Sequence, residues 1–122
     1  MQDAGGGGGT LTVNTETSDV TLTSGESGEV FTLDDSLTAS LPTASAGLHY
    51  YLIRPSSAAG NVVIDAAAGD VITVNSDINI SQNTVYWKSS SGAGNIHIVA
   101  IDDTEWVMSL SRETLISSSA GP

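Results

Sequence analysis

Ile96–His97–Ile98–Val99–Ala100–Ile101–Asp102–Asp103–Thr104–Glu105–Trp106 is the stretch that decides the fold class. Its first six residues are apolar at nearly every position, the pattern of a β-strand buried on both faces. Asp102–Asp103–Thr104–Glu105 then reads as a tight hairpin, since Asp side chains accept hydrogen bonds from the amides of their own turn. Beyond it Trp106, Met108 and Leu110 recur at every second position, so the chain resumes as a strand with one apolar face.

Working outward, the same grammar repeats. Val20 and Leu22 alternate with Thr21 and Thr23, Ile78 and Ile80 with Asn79 and Ser81, and Val85 and Trp87 with Tyr86 and Lys88. Val62–Val63–Ile64 and Val71–Ile72–Thr73–Val74 are short β-branched runs. Ser24–Gly25–Glu26–Ser27–Gly28–Glu29, Ala68–Gly69–Asp70 and Ser89–Ser90–Ser91–Gly92–Ala93–Gly94–Asn95 separate them with turn residues. No window holds apolar residues at helical spacing, and Ala66–Ala67–Ala68 adds one helical turn at most. The expected fold is all-β: a single-domain antiparallel β-sandwich or small β-barrel. No repeat of fixed period is present, so a solenoid is not expected. Residues 1–9, with the run Gly5 to Gly9, read as a flexible arm, 10–116 as the β domain, and 117–122 as a flexible tail.

Composition narrows the function. The 122 residues carry 3 Lys and Arg against 14 Asp and Glu, a formal net charge of −11. Such a chain lacks the cationic surface that releases phosphate counterions or docks on anionic lipid, so neither nucleic acid nor membrane is an expected partner. With no cysteine there is no disulfide frame, thiolate metal site or thiol nucleophile. The start, Met1–Gln2–Asp3–Ala4, lacks the basic and apolar regions of a secretory signal. Large apolar residues suffice for one modest core, diluted by 31 Ser and Thr. The expectation is a folded domain that gains stability from self-association or from a host surface.

Reactive groups are sparse. His49 and His97 are the natural acid–base candidates, but they lie far apart in sequence without zinc spacing. His97 alternates with Ile96 and Ile98 on a face shared with Val99 and Ile101, where a hydrogen-bonded structural histidine is expected. His49 sits where a strand begins. Asp34–Asp35 and Asp102–Asp103 are paired acids, but neighbours on a strand point to opposite faces, and turn capping explains both pairs. Asn75–Ser76–Asp77–Ile78–Asn79 opens like a calcium loop, then places Ile80 where glycine is needed and Tyr86 where a bidentate Glu belongs. A looser Ca²⁺ site among loop carboxylates stays an alternative without assigned residues. Asn79–Ile80–Ser81 is a formal glycosylation sequon and carries no weight. The three cations Arg54, Lys88 and Arg112 are read as exposed ion-pair partners, and Trp87 and Trp106 as core or inter-subunit packing. No catalytic residue, cofactor or metal ligand is assigned, and the chain is not expected to be an enzyme.

Several segments taken in order resemble small β-rich virion proteins of tailed bacteriophages: capsid decoration (cement) proteins, head fibres and tail-fibre modules. They are Ser27–Gly28–Glu29–Val30–Phe31–Thr32–Leu33–Asp34, Ser40–Leu41–Pro42, Ala44–Ser45–Ala46–Gly47–Leu48–His49–Tyr50–Tyr51, Gly69–Asp70–Val71–Ile72 and the closing Ile98 to Trp106. The likeness spans about residues 19–110. The glycine run and the segment Ser111 to Ile116 depart from it. The resemblance implies a non-enzymatic structural protein, made in the host cytoplasm and placed on the capsid exterior. It would be a homo-oligomer, with a trimer favoured, bound to the major capsid protein or another virion protein. A fibre or receptor-binding module is the alternative, and a small carbohydrate-active or metal-dependent enzyme the more distant one.

Overall fold

β-Branched and aromatic residues at alternate positions draw a chain into short extended segments, because each segment buries one row of side chains and leaves the other wet. The computed structural model describes residues 10–34, 36–55, 60–74, 81–87, 94–110 and 116–117. Twelve strands lie among them: β1 (Val13–Glu16), β2 (Val20–Thr21), β3 (Val30–Leu33), β4 (Thr38–Ser40), β5 (His49–Arg54), β6 (Val62–Asp65), β7 (Val71–Val74), β8 (Ser81–Gln82), β9 (Thr84–Trp87), β10 (Gly94–Ala100), β11 (Glu105–Leu110) and β12 (Ile116–Ser117). One 3-10 turn, Ser24–Glu26, separates β2 from β3. The all-β expectation is met. The glycine arm, the Asn75–Asn79 segment, Lys88 and Arg112 lie outside the described residues, as do Asp35 and most of the Ser89–Asn95 loop.

The strands form two sheets, ordered β1-β3-β5-β10-β11-β7-β8 and β12-β9-β6-β4-β2. Their pairing is mixed, which corrects the antiparallel expectation. β1 runs parallel to β3, β3 to β5, β2 to β4, β4 to β6 and β7 to β11. The β5–β10, β10–β11, β6–β9, β7–β8 and β9–β12 pairs are antiparallel. Antiparallel neighbours need only a short turn, whereas parallel neighbours need a crossover. Here the crossover is a strand of the other sheet: β1 to β6 alternate between the sheets as the chain winds. Val13 pairs with Val30 and Val30 with Tyr51, while Val20 pairs with Ala39 and Ala39 with Ile64. Successive turns of this winding differ in length, so a coiled path exists without the fixed sequence period that would announce it.

Inward residues of both sheets meet in one cluster. Phe31, Leu33, Tyr50, Leu52, Ile98, Trp106 and Met108 come from the larger sheet, and Ala39, Val62, Ile64, Val85 and Trp87 from the smaller. Trp87 and Trp106 are each 0% exposed, which makes both core residues. Phe31 meets Tyr50 edge-on at 6.1 Å, and the Tyr50 and Trp106 ring centroids are 6.0 Å apart. β10 corrects a second expectation. Ile96, Ile98 and Ala100 are buried, but Asn95 is exposed, His97 and Val99 are half-buried, and Ile101 beyond the strand is 52% exposed. The strand has one wet face, because the neighbouring element on that side is solvent rather than a third layer.

Four polar side chains close the joints between elements. Arg54, expected as an exposed ion-pair partner, is 1% exposed. It follows Tyr50 and Leu52 on the inward row of β5, and its guanidinium donates through Nη1 to the Trp87 carbonyl at 2.9 Å and through Nη2 to the Gly60 carbonyl. Gly60 has φ +76, and a Cβ there would collide with the Ser36 hydroxyl, so only glycine presents that carbonyl. Asp70, 5% exposed, accepts the Ala44 amide at 2.9 Å. The Asn83 side-chain amide donates to the Ala66, Ala67 and Asp70 carbonyls. On the opposite flank the buried Tyr50 hydroxyl donates to the Thr23 carbonyl at 2.6 Å, tying the core to the 3-10 turn. Burial, and behind it the charges of Glu26 and Glu29, push the Tyr50 phenol up to about 12.

Two outcomes follow. Arg54→Ala removes two charge-assisted bonds from β5 to its surroundings and lowers the unfolding free energy by about 3 kcal/mol or more, read by urea denaturation. Tyr50 holds its proton more tightly folded than unfolded. Its contribution is therefore intact below pH 10 and fades as pH rises from there through about 12. Tyr50→Phe flattens the stability-against-pH curve across that window, measured by denaturant midpoints at stepped alkaline pH.

Candidate functional site

The period-two rule that sends Tyr50, Leu52 and Arg54 inward sends His49, Tyr51 and Ile53 outward, onto the exposed face of the seven-stranded sheet. β10 does the same with Asn95, His97 and Val99. The antiparallel register sets Tyr51 opposite His97 and His49 opposite Val99, so His49 and His97 are diagonal neighbours across the pair. Their rings meet: His49 Nδ1 lies 2.9 Å from His97 Nε2. Tyr51 stacks on His97 with centroids 4.4 Å apart and planes 9° from parallel, and stands edge-on to His49 at 5.5 Å.

The start of β5 is anchored from the turn before β3. The His49 amide donates to Ser27 Oγ at 3.0 Å, and the Gly28 amide donates to the His49 carbonyl at 2.7 Å. Gly28 sits at φ +90, and a Cβ there would touch His49 Nε2 at 3.6 Å, so the imidazole edge borders a position that favours glycine. Burial lowers the proton affinity of His97, and the neighbouring His49 lowers it further.

Beside this trio a hollow of about 400 Å³ opens, floored by Val30, Tyr51 and His97 and rimmed by Leu11, Ile53 and Asn95. Leu11 is 54% exposed, Val13 on β1 59% and Ile53 36%, a row of large apolar side chains facing solvent. β1 ends the order of its sheet, so its outer backbone groups have no strand partner among the described residues. The face is therefore apolar and aromatic beside an open strand edge, with one pair of imidazoles at its centre.

The remaining candidates separate cleanly. Asp102 caps its hairpin as expected: Oδ1 accepts the Thr104 and Glu105 amides at 2.8 and 2.9 Å, and these bonds hold its carboxyl below the usual range. Asp34 continues the ladder by donating its amide to the Glu16 carbonyl at 3.1 Å. Among the described residues no three His, Cys, Asp or Glu side chains gather in one place, and no helix is long and apolar enough to cross a membrane. What the sequence left unmarked is the meeting of His49 with His97 and the place of Tyr51 against both. Tyr51 could have been put on the His49 face by alternation alone. The β5–β10 register could not, because it is a long-range pairing.

Because His97 takes up its proton less readily folded than unfolded, its effect on stability is fully favourable above pH 6.5. It declines as pH falls through 6.5 and levels off below the lowered folded value. His97→Gln removes this acid-side decline, measured by thermal midpoints between neutral and mildly acidic pH. Comparison with known proteins adds no relative: no family model, no curated protein and no solved structure matches the chain.

Proposed function

We propose that this chain is a non-enzymatic structural module of a virion, a capsid decoration protein that binds the outer surface of a phage head as an oligomer, with a trimer favoured. The observation that carries the binding role is the open edge of β1 beside the exposed Leu11, Val13 and Ile53. A row of unpaired backbone groups next to a wet apolar face is a template for another chain, and covering it gains both hydrogen bonds and buried apolar area. Symmetric association covers such an edge in every copy at once. The net charge of −11 keeps many copies soluble and off nucleic acid. The bacteriophage resemblance of residues 19–110 supplies the setting, and the two sheets sharing one core are read as a sandwich. The surface of the virion is the corresponding location, and the major capsid protein the corresponding partner.

A second reading has its own support. β1 to β6 wind between the sheets with parallel pairing, and the β1 and β2 edges that begin this winding both stand at sheet ends. Edges of that kind accept a further coil, which is how a fibre or receptor-binding module would stack on its neighbour.

Gel densitometry of purified particles separates the readings. Hundreds of copies per head support decoration, a few copies confined to a tail or fibre support the second reading, and absence from particles ends both. Deleting residues 1–9 lowers particle occupancy while the thermal transition of the β domain persists, because an arm laid across a neighbouring subunit contributes to binding and not to the core. Unchanged occupancy removes the arm from the contact.

A further inference from the structure

We propose that His49 and His97 together form a binding site for a tetragonal divalent transition-metal ion, copper(II) foremost. The site stands apart from the virion reading and holds or fails independently of it.

Its geometry comes from the fold. Adjacent antiparallel strands present the two imidazoles diagonally on the outer face of the larger sheet, with nitrogens 2.9 Å apart. That separation is a hydrogen-bond distance, and metal–imidazole bonds are ~2.0–2.1 Å, so a small turn of each ring brings both lone pairs to one ion at adjacent coordination positions. Two cis imidazoles completed by water suit the tetragonal centres that copper(II) and nickel(II) prefer. The order of intrinsic affinities points the same way, with copper above nickel and zinc.

The surroundings suit a ligand pair. Stacking on Tyr51 fixes the plane of His97, and the edge contact from Tyr51 braces His49, so little ring freedom is lost on binding. Both rings are half-buried on a face open to solvent, which gives an ion a way in and lets water complete its coordination. In the metal-free protein one imidazole donates to the other. Binding replaces that shared hydrogen: the donor ring moves its proton to its far nitrogen, and each lone pair turns to the metal. For His49 the far nitrogen is Nε2, beside Gly28. A net charge of −11 raises the local concentration of cations around the whole domain.

The test uses the full chain at neutral pH with copper(II) buffered by glycine, which outcompetes loose carboxylate sites. One equivalent is expected, with a visible d–d band and electron paramagnetic resonance showing coupling to two imidazole nitrogens. Sub-stoichiometric copper is expected to broaden the ring-proton resonances of His49 and His97 before any others. His49→Asn and His97→Gln each weaken copper binding at least tenfold, and zinc binds at least tenfold more weakly than copper. Copper held as tightly by both variants, or a spectrum without imidazole coupling, places the ion elsewhere and overturns the proposal. Zinc binding as tight as copper overturns the tetragonal assignment. Should either variant lose its thermal transition, the resonance experiments on the unaltered chain decide alone.

Discussion

The alternation of β5 governs both sides of the molecule. Its inward row, Tyr50, Leu52 and Arg54, supplies an aromatic centre, an aliphatic filler and a guanidinium that reaches backbone carbonyls of β9 and of the Gly60 turn. Once these three are committed to the interior, His49, Tyr51 and Ile53 have no freedom in where they point. A register slip of one residue would expel a tyrosine, a leucine and a buried cation from the core and bury His49, Tyr51 and Ile53 in exchange. The surface site is thus a by-product of core packing, held in place by the largest free-energy term in the fold.

Arg54 also shows how a thinly stocked core settles its polar obligations. With so few large apolar residues, the ends of the inward rows are finished by groups that bond the backbone: Arg54 at Trp87, Asp70 at Ala44, Asn83 at three carbonyls of the β6–β7 connection, and Tyr50 at Thr23. Each ties a loop or a neighbouring strand to an element that already has its place. Polar groups bonded in this manner tie the arrangement down, because a shift that broke such a bond would leave Arg54 or Asp70 buried without that partner.

The mixed sheets have a functional consequence. Winding between sheets leaves β1 and β2 at the sheet ends among the described residues, and Leu11, just before β1, lines the hollow over Tyr51 and His97. An entirely antiparallel meander would have spread its hairpin connections along the sheet margins. Here β1 ends one sheet and β2 the other among the described residues, and the aromatic face lies on the sheet that β1 ends. The edge proposed to receive a partner and the face proposed to hold a metal ion adjoin, the first along β1 and the second on β5 and β10.

The sequence by itself determined the all-β class, the hairpin after Ile101 with Asp102 as its cap, the Gly69–Asp70 turn, and the inward or outward sense of most strand residues. These are local properties: period two, turn chemistry and short-range capping act within a few residues. Only the tertiary structure decided that β1, β3 and β5 run parallel, that β10 keeps a wet face, that Arg54 is buried, and that His49 meets His97. Strand partners are chosen by which rows of side chains fill one core together, and that choice is made between segments separated by long stretches of chain. Alternation tells which face a histidine occupies. It carries no information about which strand will lie beside it.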